Sequence, residues 1–289
     1  MRSVRPPDRF WGYMKLFHAL TAMMLIVSPL PIKAGEQTLA APDTVVVHSG
    51  SLTLRGLLWK PEGAGPFPAV LYNHGSGPQS DLSRPAKLGP VFARHGYVVL
   101  YLFRRGAGLS ADQGADAETL MNRALAEYGQ AGRNEVQLQL LEAELADVLA
   151  GLDVLRARSD VDTARIAVVG YSFGGQLTLL LAERHGIRAA AVFGAAAGSW
   201  ESSSKLRDRL LAAVRRTTAP VFFIHAANDY SIAPGKKLDA EMARAGRSHR
   251  LNIYPAVGST PRDGHDFIHQ RVSSWEPDVF AFLDERTRR

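Results

Sequence analysis

The stretch AVVGYSFGGQ, residues 167–176, places a serine between glycines directly after a run of strand-forming residues. Its centre fits the pattern G-x-S-x-G, in which a sharp strand-to-helix turn exposes a serine hydroxyl. Around Ser172, the turn positions are Gly170, Tyr171, Phe173 and Gly174. Glycine at the outer positions removes Cβ atoms that would clash with neighbouring backbone. The pattern predicts that Ser172 is a nucleophile, and an ordinary turn that needs glycine only for its geometry is the alternative.

A serine hydroxyl is a weak nucleophile until a base takes its proton, so a histidine is required. Of the nine histidines, His265 is the best placed, because its loop PRDGHDFIHQ follows the last predicted strand and precedes the final helix. His269 is the rival, but it falls within the following turn of helix. His225 lies inside a predicted strand and is interpreted as a core residue, and His74 as a hydrogen-bonded loop anchor. We therefore predict that His265 is the base.

The imidazole in turn needs a carboxylate that fixes its tautomer and stabilises its cation. Asp229 ends the segment VFFIHAAND, at the carboxyl end of a predicted strand. Asp263 and Asp266 flank His265, but a capping or salt-bridge role suits them better, since sequence neighbours rarely orient a ring. Asp229 is the predicted acid, and the chain order serine, aspartate, histidine is the one that accompanies this type of strand–turn–helix nucleophile.

The oxyanion of a tetrahedral intermediate requires hydrogen-bond donors. The backbone N–H of Phe173 is one candidate, because it follows the nucleophile. The loop HGSGPQ, after the predicted strand FPAVLYN, offers the backbone of Gly75 or Ser76 as the second. Each such donor contributes about 3 kcal/mol to the transition state.

The elements that must position these residues alternate along the chain. From residue 67 onwards, strands rich in Val, Ile, Leu and Ala alternate with helical segments. This alternation predicts a mainly parallel central sheet with helices on both faces, preceded by an antiparallel N-terminal hairpin. Residues 35–289 are predicted to be a single α/β domain. Ligands of such sheets bind at the carboxyl ends of the strands, where the candidate residues all fall.

Residues 104–157, between two predicted strands, divide into two parts with different sequence patterns. Apolar residues spaced three and four apart predict one amphipathic helix over residues 134–157. Residues 104–133 contain five glycines and are predicted to form a loop or a loosely held helical insertion. Residues 106–133 and the predicted helix at 200–216 are expected to border the pocket.

The N-terminal residues are typical of an export signal. Residues 1–34 begin with basic side chains, continue with a short apolar run and end at Ala34, with Ala40 as a later cleavage site. The apolar run is about fifteen residues, short of the roughly 20 that a membrane-spanning helix needs. We expect an exported, periplasmic or secreted protein without stable membrane insertion after cleavage, with an uncleaved N-terminal anchor or a buried helix as the alternatives.

Composition excludes several function classes. The chain carries a formal charge of +6, of which residues 1–34 contribute +4, so about +2 remains after their removal. No basic cluster with interleaved aromatic residues indicates nucleic-acid binding. The absence of cysteine excludes disulfides, thiolate catalysis and cysteine-bound metals.

Several segments together resemble the α/β-hydrolase superfamily, and within it the dienelactone hydrolase family and its prolyl-oligopeptidase-like relatives. They cover most of residues 51–270 and read LRGLLWKP, PAVLYNHGSG, FARHGYVVLYLFRRGAG, IAVVGYSFGGQ, FFIHAANDYSIAP and DGHDF. The resemblance implies a triad of Ser172, Asp229 and His265, with no cofactor and no metal. In FRRGAG, Arg104 and Arg105 either pair with carboxylates or contact substrate.

One departure from the family bears on the substrate. Dienelactone hydrolases carry cysteine at the nucleophile position, whereas this chain has Ser172 and no cysteine. We therefore expect a serine hydrolase that cleaves small-molecule carboxylic esters through an acyl-enzyme. The alternatives are a serine peptidase or amidase acting on small peptides and, in a different class, a non-catalytic binding protein on the same fold.

Overall fold

The computed structural model describes residues 40–184 and 186–288. The predicted export signal at residues 1–34 lies outside these ranges and stays a prediction. Among the helices of the described part, none is both long enough and apolar enough to span a membrane.

Eight strands form one sheet in the described residues. They are β1 (Asp43–Ser49), β2 (Leu52–Trp59), β3 (Phe67–Asn73), β4 (Val98–Phe103), β5 (Val161–Tyr171), β6 (Ala189–Phe193), β7 (Val221–Ala226) and β8 (His249–Tyr254). Their order across the sheet is β1-β2-β4-β3-β5-β6-β7-β8. β2 is antiparallel to both β1 and β4, whereas every other neighbouring pair is parallel. The prediction of a mainly parallel sheet with an antiparallel N-terminal hairpin is confirmed.

Helices cover both faces of the sheet, as predicted. They are α1 (Ser83–Arg94), α2 (Ala117–Arg156), α3 (Phe173–Ala182), α4 (Ser204–Arg216), α5 (Ala233–Arg244), α6 (Pro261–His265), α7 (Phe267–Gln270) and α8 (Val272–Thr287). Apolar residues of α2 to α5 pack in one buried cluster, and those of α1, α7 and α8 in another. Val70 and Leu71 of β3 belong to different clusters, because successive strand side chains point to opposite faces. Strands β4, β6 and β7 are buried at every position, which explains their continuous apolar runs.

The long helix α2 corrects the sequence prediction for residues 104–157. Residues 104–133, predicted to form a loop or a loosely held helical insertion, contain a short 3₁₀ helix, Gly108–Gln113, and the start of α2, which begins at Ala117 rather than at the predicted residue 134. The side chain of Asp116 caps α2 by accepting from the Thr119 N–H, and Met121 and Ala124 are buried. A break at Gly129, where φ is 66°, interrupts the helix and hides its periodicity in the sequence. A left-handed backbone conformation of this kind favours glycine.

Candidate functional site

Ser172 occupies the turn between β5 and α3 at the carboxyl edge of the sheet. Its φ of 56° and ψ of −118° are strained for a residue with a Cβ, and its N–H donates to the Phe193 carbonyl oxygen at 2.8 Å. A Cβ at Gly170 would lie 2.2 Å from Thr178 Oγ1, and one at Gly174 would lie 2.1 Å from the Asn73 carbonyl oxygen. Both glycines are therefore required by close packing around the turn.

Three side chains predicted from the sequence form one hydrogen-bonded chain. Nε2 of His265 lies 2.9 Å from Ser172 Oγ, and Nδ1 of His265 lies 2.7 Å from Asp229 Oδ1. Because the Asp229 carboxylate accepts from Nδ1–H, Nε2 is left free to accept from the serine hydroxyl. Asp229 follows the end of β7 and is buried, whereas His265 is partly exposed to the cavity described below. This geometry allows proton transfer from Ser172 to His265.

His265 is the last residue of α6, rather than part of the predicted loop. Thr260 and Asp263 form a reciprocal capping box at the start of this short helix. Asp266, the next residue, accepts from the Tyr171 hydroxyl at 2.5 Å and from the Arg84 guanidinium at 3.4 Å. The two carboxylates beside His265 thus have the capping and salt-bridge roles expected of them, and together they fix the segment that carries the histidine.

A second histidine contacts the Asp229 carboxylate. His225 was interpreted as a core residue, and it is buried, but its Nδ1 lies 2.8 Å from Asp229 Oδ2. The Tyr230 N–H adds a further donor to Oδ1 at 2.8 Å. Burial tends to raise the pKa of Asp229, but hydrogen bonds from His225 and His265 outweigh it and lower that pKa below its usual value. The only feature of the sequence that could have indicated this contact is that His225 lies four residues before Asp229.

His269, the rival base, makes no hydrogen bond to Ser172 among the described residues. It is buried on α7, and neither ring nitrogen has a partner within the described chain. Its ring instead packs edge-on against Tyr171, with centroids 5.1 Å apart. Burial, aided by the charges of Arg84 and Lys87, lowers the pKa of His269 to about 3. A neutral, enclosed imidazole at this position is structural.

The two predicted sources of oxyanion donors lie beside the serine. Phe173 is the first residue of α3, so its N–H has no intrahelical acceptor. A Cβ at Gly75 would lie 3.6 Å from Ser172 Cβ, which brings the backbone of the HGSG loop next to the nucleophile. His74 anchors this loop as predicted, because its Nδ1 lies 2.7 Å from the Gly75 carbonyl oxygen. Gly75, Ser76 and Phe173 all border the same cavity as Ser172.

That cavity has a volume of about 370 Å³ and a largely polar wall. Its charged lining residues are Arg84, Glu118, Arg133, Arg262 and Asp266. From the predicted segment 106–133, Glu118, Met121 and Arg133 line the cavity. The predicted helix at 200–216 does not border it, and residues 196–199 take its place. Arg104 and Arg105 are absent from the lining and pair with Glu144 and Asp147. In residues 40–184 and 186–288, no group of three or more His, Cys, Asp or Glu side chains is arranged to hold a metal ion.

Comparison with known proteins identifies the fold and the family. The sequence model of the dienelactone hydrolase family matches residues 54–274. Esterase EstD of Thermotoga maritima is 32% identical over 136 residues, which are 46% of this chain and 29% of that protein. The acylaminoacyl peptidase of Pyrococcus horikoshii superposes with a TM-score of 0.63 and 18% identity over 88% of this chain and 42% of that one. Est1E from Butyrivibrio proteoclasticus superposes with a TM-score of 0.60 and 16% identity over 86% of this chain and all of that one.

These matches differ in how much of each protein they cover. The chain spans less than a third of EstD and less than half of the acylaminoacyl peptidase, but the full length of Est1E. The structural matches, at under a fifth identity, show the α/β-hydrolase fold. The family match extends from β2 into α8 and includes Ser172, Asp229 and His265.

Proposed function

This chain belongs to the dienelactone hydrolase family, and from that membership we propose that it hydrolyses carboxylic esters with Ser172 as the nucleophile. One observation carries the proposal: a serine on a strained turn is hydrogen-bonded to His265, which is hydrogen-bonded to Asp229. A structural turn would need neither the imidazole nor the buried carboxylate behind it. The esterase relative supports ester chemistry as the first choice.

The proposed reaction has two steps. His265 Nε2 takes the proton of Ser172 as Oγ attacks the ester carbonyl, and Asp229 stabilises the imidazolium that forms. The oxyanion accepts hydrogen bonds from the Phe173 N–H and from the Gly75–Ser76 segment. The intermediate collapses as His265 protonates the departing alcohol, which leaves an acyl-enzyme. Water, deprotonated by the same imidazole, then attacks the acyl carbonyl and releases the acid and the free serine.

Labelling tests the nucleophile directly. A fluorophosphonate probe is expected to modify the wild-type protein at Ser172, whereas Ser172→Ala should be unlabelled and lose hydrolysis of p-nitrophenyl butyrate. Ser202→Ala, which removes an exposed serine outside the cavity, is the matched control and should behave as wild type. If folded wild-type protein is not labelled, or if Ser172→Ala retains full activity, the proposed function is wrong.

The leaving group separates the ester and peptide alternatives. The fold is shared with a peptidase as well as with Est1E, so an amide substrate is a reasonable second candidate. We propose that the ester is preferred, and a matched p-nitrophenyl ester and p-nitroanilide of one acyl group would measure the preference. A higher kcat/KM for the anilide would reverse the assignment and leave Ser172 as the nucleophile.

We also propose that residues 1–34 direct export, on the basis of their basic start, apolar middle and small-residue end. Cell fractionation with N-terminal sequencing is the test. A mature N-terminus after Ala34, or as late as Ala40, supports export, and an intact N-terminus on cytoplasmic protein contradicts it.

A further inference from the structure

Arg104, the first residue after β4, is buried almost completely beneath the HGSG loop. Its Nε donates to Glu144 Oε2 at 2.6 Å, and its Nη2 donates to the Gly75 carbonyl oxygen at 2.9 Å. The guanidinium carbon also lies 5.7 Å from the centre of the Phe173 ring. One buried cation therefore contacts both segments that supply the proposed oxyanion donors.

Stability does not explain this ion pair. Removing two charges from water costs several kcal/mol per ion, and an apolar pair of similar volume is often as stable or more stable. Within the described residues, Arg104 Nη1 and Glu144 Oε1 have no hydrogen-bond partner, which adds to the cost. Burial raises the pKa of Glu144, and the charge of Arg104 opposes that rise. A pair that is this costly to bury calls for a role other than stabilising the fold.

The contact with Gly75 supplies such a role. Its carbonyl oxygen accepts from both His74 Nδ1 and Arg104 Nη2. His74 can donate from Nδ1 because its Nε2 accepts from the Arg104 N–H at 3.2 Å. Two donors on the interior side thus bind the Gly75 carbonyl oxygen, and they fix the direction of this carbonyl.

Fixing that carbonyl also fixes the next amide. The peptide between Gly75 and Ser76 is trans, so the Ser76 N–H points away from the clamped carbonyl. In the described part of the chain, this N–H has no acceptor, although the Ser76 carbonyl oxygen accepts from the Glu118 N–H at 3.0 Å. Ser76 borders the cavity that contains Ser172. This amide therefore has no partner within the described residues, and Ser76 borders the cavity in which an acceptor could bind.

We propose that Arg104, held by Glu144, is a positioning residue that aims the Ser76 N–H at the oxyanion. Ser76, rather than Gly75, is then the second donor, beside the Phe173 N–H. The inference rests on the proposed serine hydrolase function. Arg104 does not touch substrate in this arrangement, so it acts on the transition state and not on substrate binding.

Two double variants test the positioning role. Arg104→Met with Glu144→Leu removes both charges together, so no buried charge is left unpaired and the carbonyl loses one donor. Arg105→Met with Asp147→Asn is the matched control, because it removes the neighbouring ion pair between the end of β4 and α2. Arg105 and Asp147 make no hydrogen bond to Gly75 within the described residues, so the control leaves the oxyanion loop intact.

The expected result is a loss of kcat at nearly constant KM. Removing one oxyanion donor lowers kcat by about 10²–10³-fold. A misdirected donor should therefore lower kcat at least roughly tenfold, while KM stays within about threefold of the wild-type value. A trifluoromethyl ketone, which forms an oxyanion on the serine, should lose affinity by a similar factor. The control variant should retain kcat and inhibitor affinity. Thermal unfolding of both variants shows whether each is folded.

The outcomes distinguish this inference from the proposed function. A folded Arg104/Glu144 variant with kcat within about twofold of wild type, or with its loss confined to KM, overturns the positioning role alone. Activity that persists in Ser172→Ala overturns the function itself. If the double variant does not fold, Glu144→Gln provides the test, since it removes the negative charge that holds Arg104 and leaves only a weaker, neutral acceptor. A fall in its kcat at constant KM supports the inference, and wild-type kcat overturns it.

Discussion

Nδ1 of His225 lies 2.8 Å from Oδ2 of Asp229, so each oxygen of this carboxylate accepts a hydrogen bond from a different imidazole. The Tyr230 N–H and His265 both donate to Oδ1, so His225 supplies the donor that holds Oδ2 and opposes rotation of the carboxylate about its terminal torsion. The pair therefore orients the ring of His265 through Asp229. His225 is 97% buried, so water cannot readily replace its hydrogen bond.

Replacing His225 by Phe keeps an aromatic ring but removes the donor. We expect kcat to fall at least about tenfold, because a hydrogen bond to a charged group contributes roughly 1.5–3 kcal/mol. Loss of this bond also raises the pKa of Asp229, since it is one of the two that outweigh burial. Unchanged kcat in a folded variant would contradict this role.

Gly174, two residues after the nucleophile, should tolerate no side chain. Gly174→Ala would place a Cβ 2.1 Å from the Asn73 carbonyl oxygen and 2.2 Å from that of His74. We expect a loss of about 3 kcal/mol or more in the free energy of unfolding, measured by urea denaturation. Gly246→Ala is the control, because its φ is 63° but no atom lies within 4 Å of the added Cβ. Its loss should be only about 1–2 kcal/mol, so equal losses would refute the steric argument.

His269 should make the fold less stable in mild acid. Burial lowers its pKa to about 3, whereas an unfolded chain binds the proton below about 6.5. The unfolded state therefore binds more protons between these values, and stability falls by up to ~1.4 kcal/mol per pH unit as pH decreases. His269→Phe removes this contribution, so the variant should gain roughly 2 kcal/mol relative to wild type between pH 7 and pH 5. Parallel pH dependences of the two proteins would show that His269 titrates normally.

The polar cavity predicts a preference for short acyl chains. Five charged side chains border its volume of about 370 Å³, and an apolar chain laid against them would remove their water without replacing it. Each added CH₂ of the acyl chain should then fail to contribute the usual binding free energy of about 0.8 kcal/mol. We expect kcat/KM to be higher for p-nitrophenyl acetate and butyrate than for the octanoate, measured below aggregation concentrations. A kcat/KM that increases with chain length up to the octanoate would indicate that the acyl chain binds at an apolar site elsewhere.

Local sequence patterns determined the fold class and the candidate residues. Strand runs, helix periodicity and turn glycines depend on a few neighbouring residues, because they record backbone conformation. From them came the mainly parallel sheet and the selection of Ser172, Asp229 and His265. The structure brings these three side chains into hydrogen-bonding distance, since each follows a strand that ends at the same edge of the sheet.

Only the tertiary structure decided which partners those residues acquire. The strand pattern around His225 is equally consistent with a core residue, and its bond to Asp229 depends on how the chain turns after β7. Arg104 lies 29 residues from Gly75 and 40 from Glu144, so no local pattern encodes its contacts. The start of α2 was predicted at residue 134 instead of Ala117 for a related reason, since Gly129 breaks the periodicity while packing against the core maintains the helix. Contacts between distant segments arise only when the elements pack, and they select among the roles that the sequence leaves open.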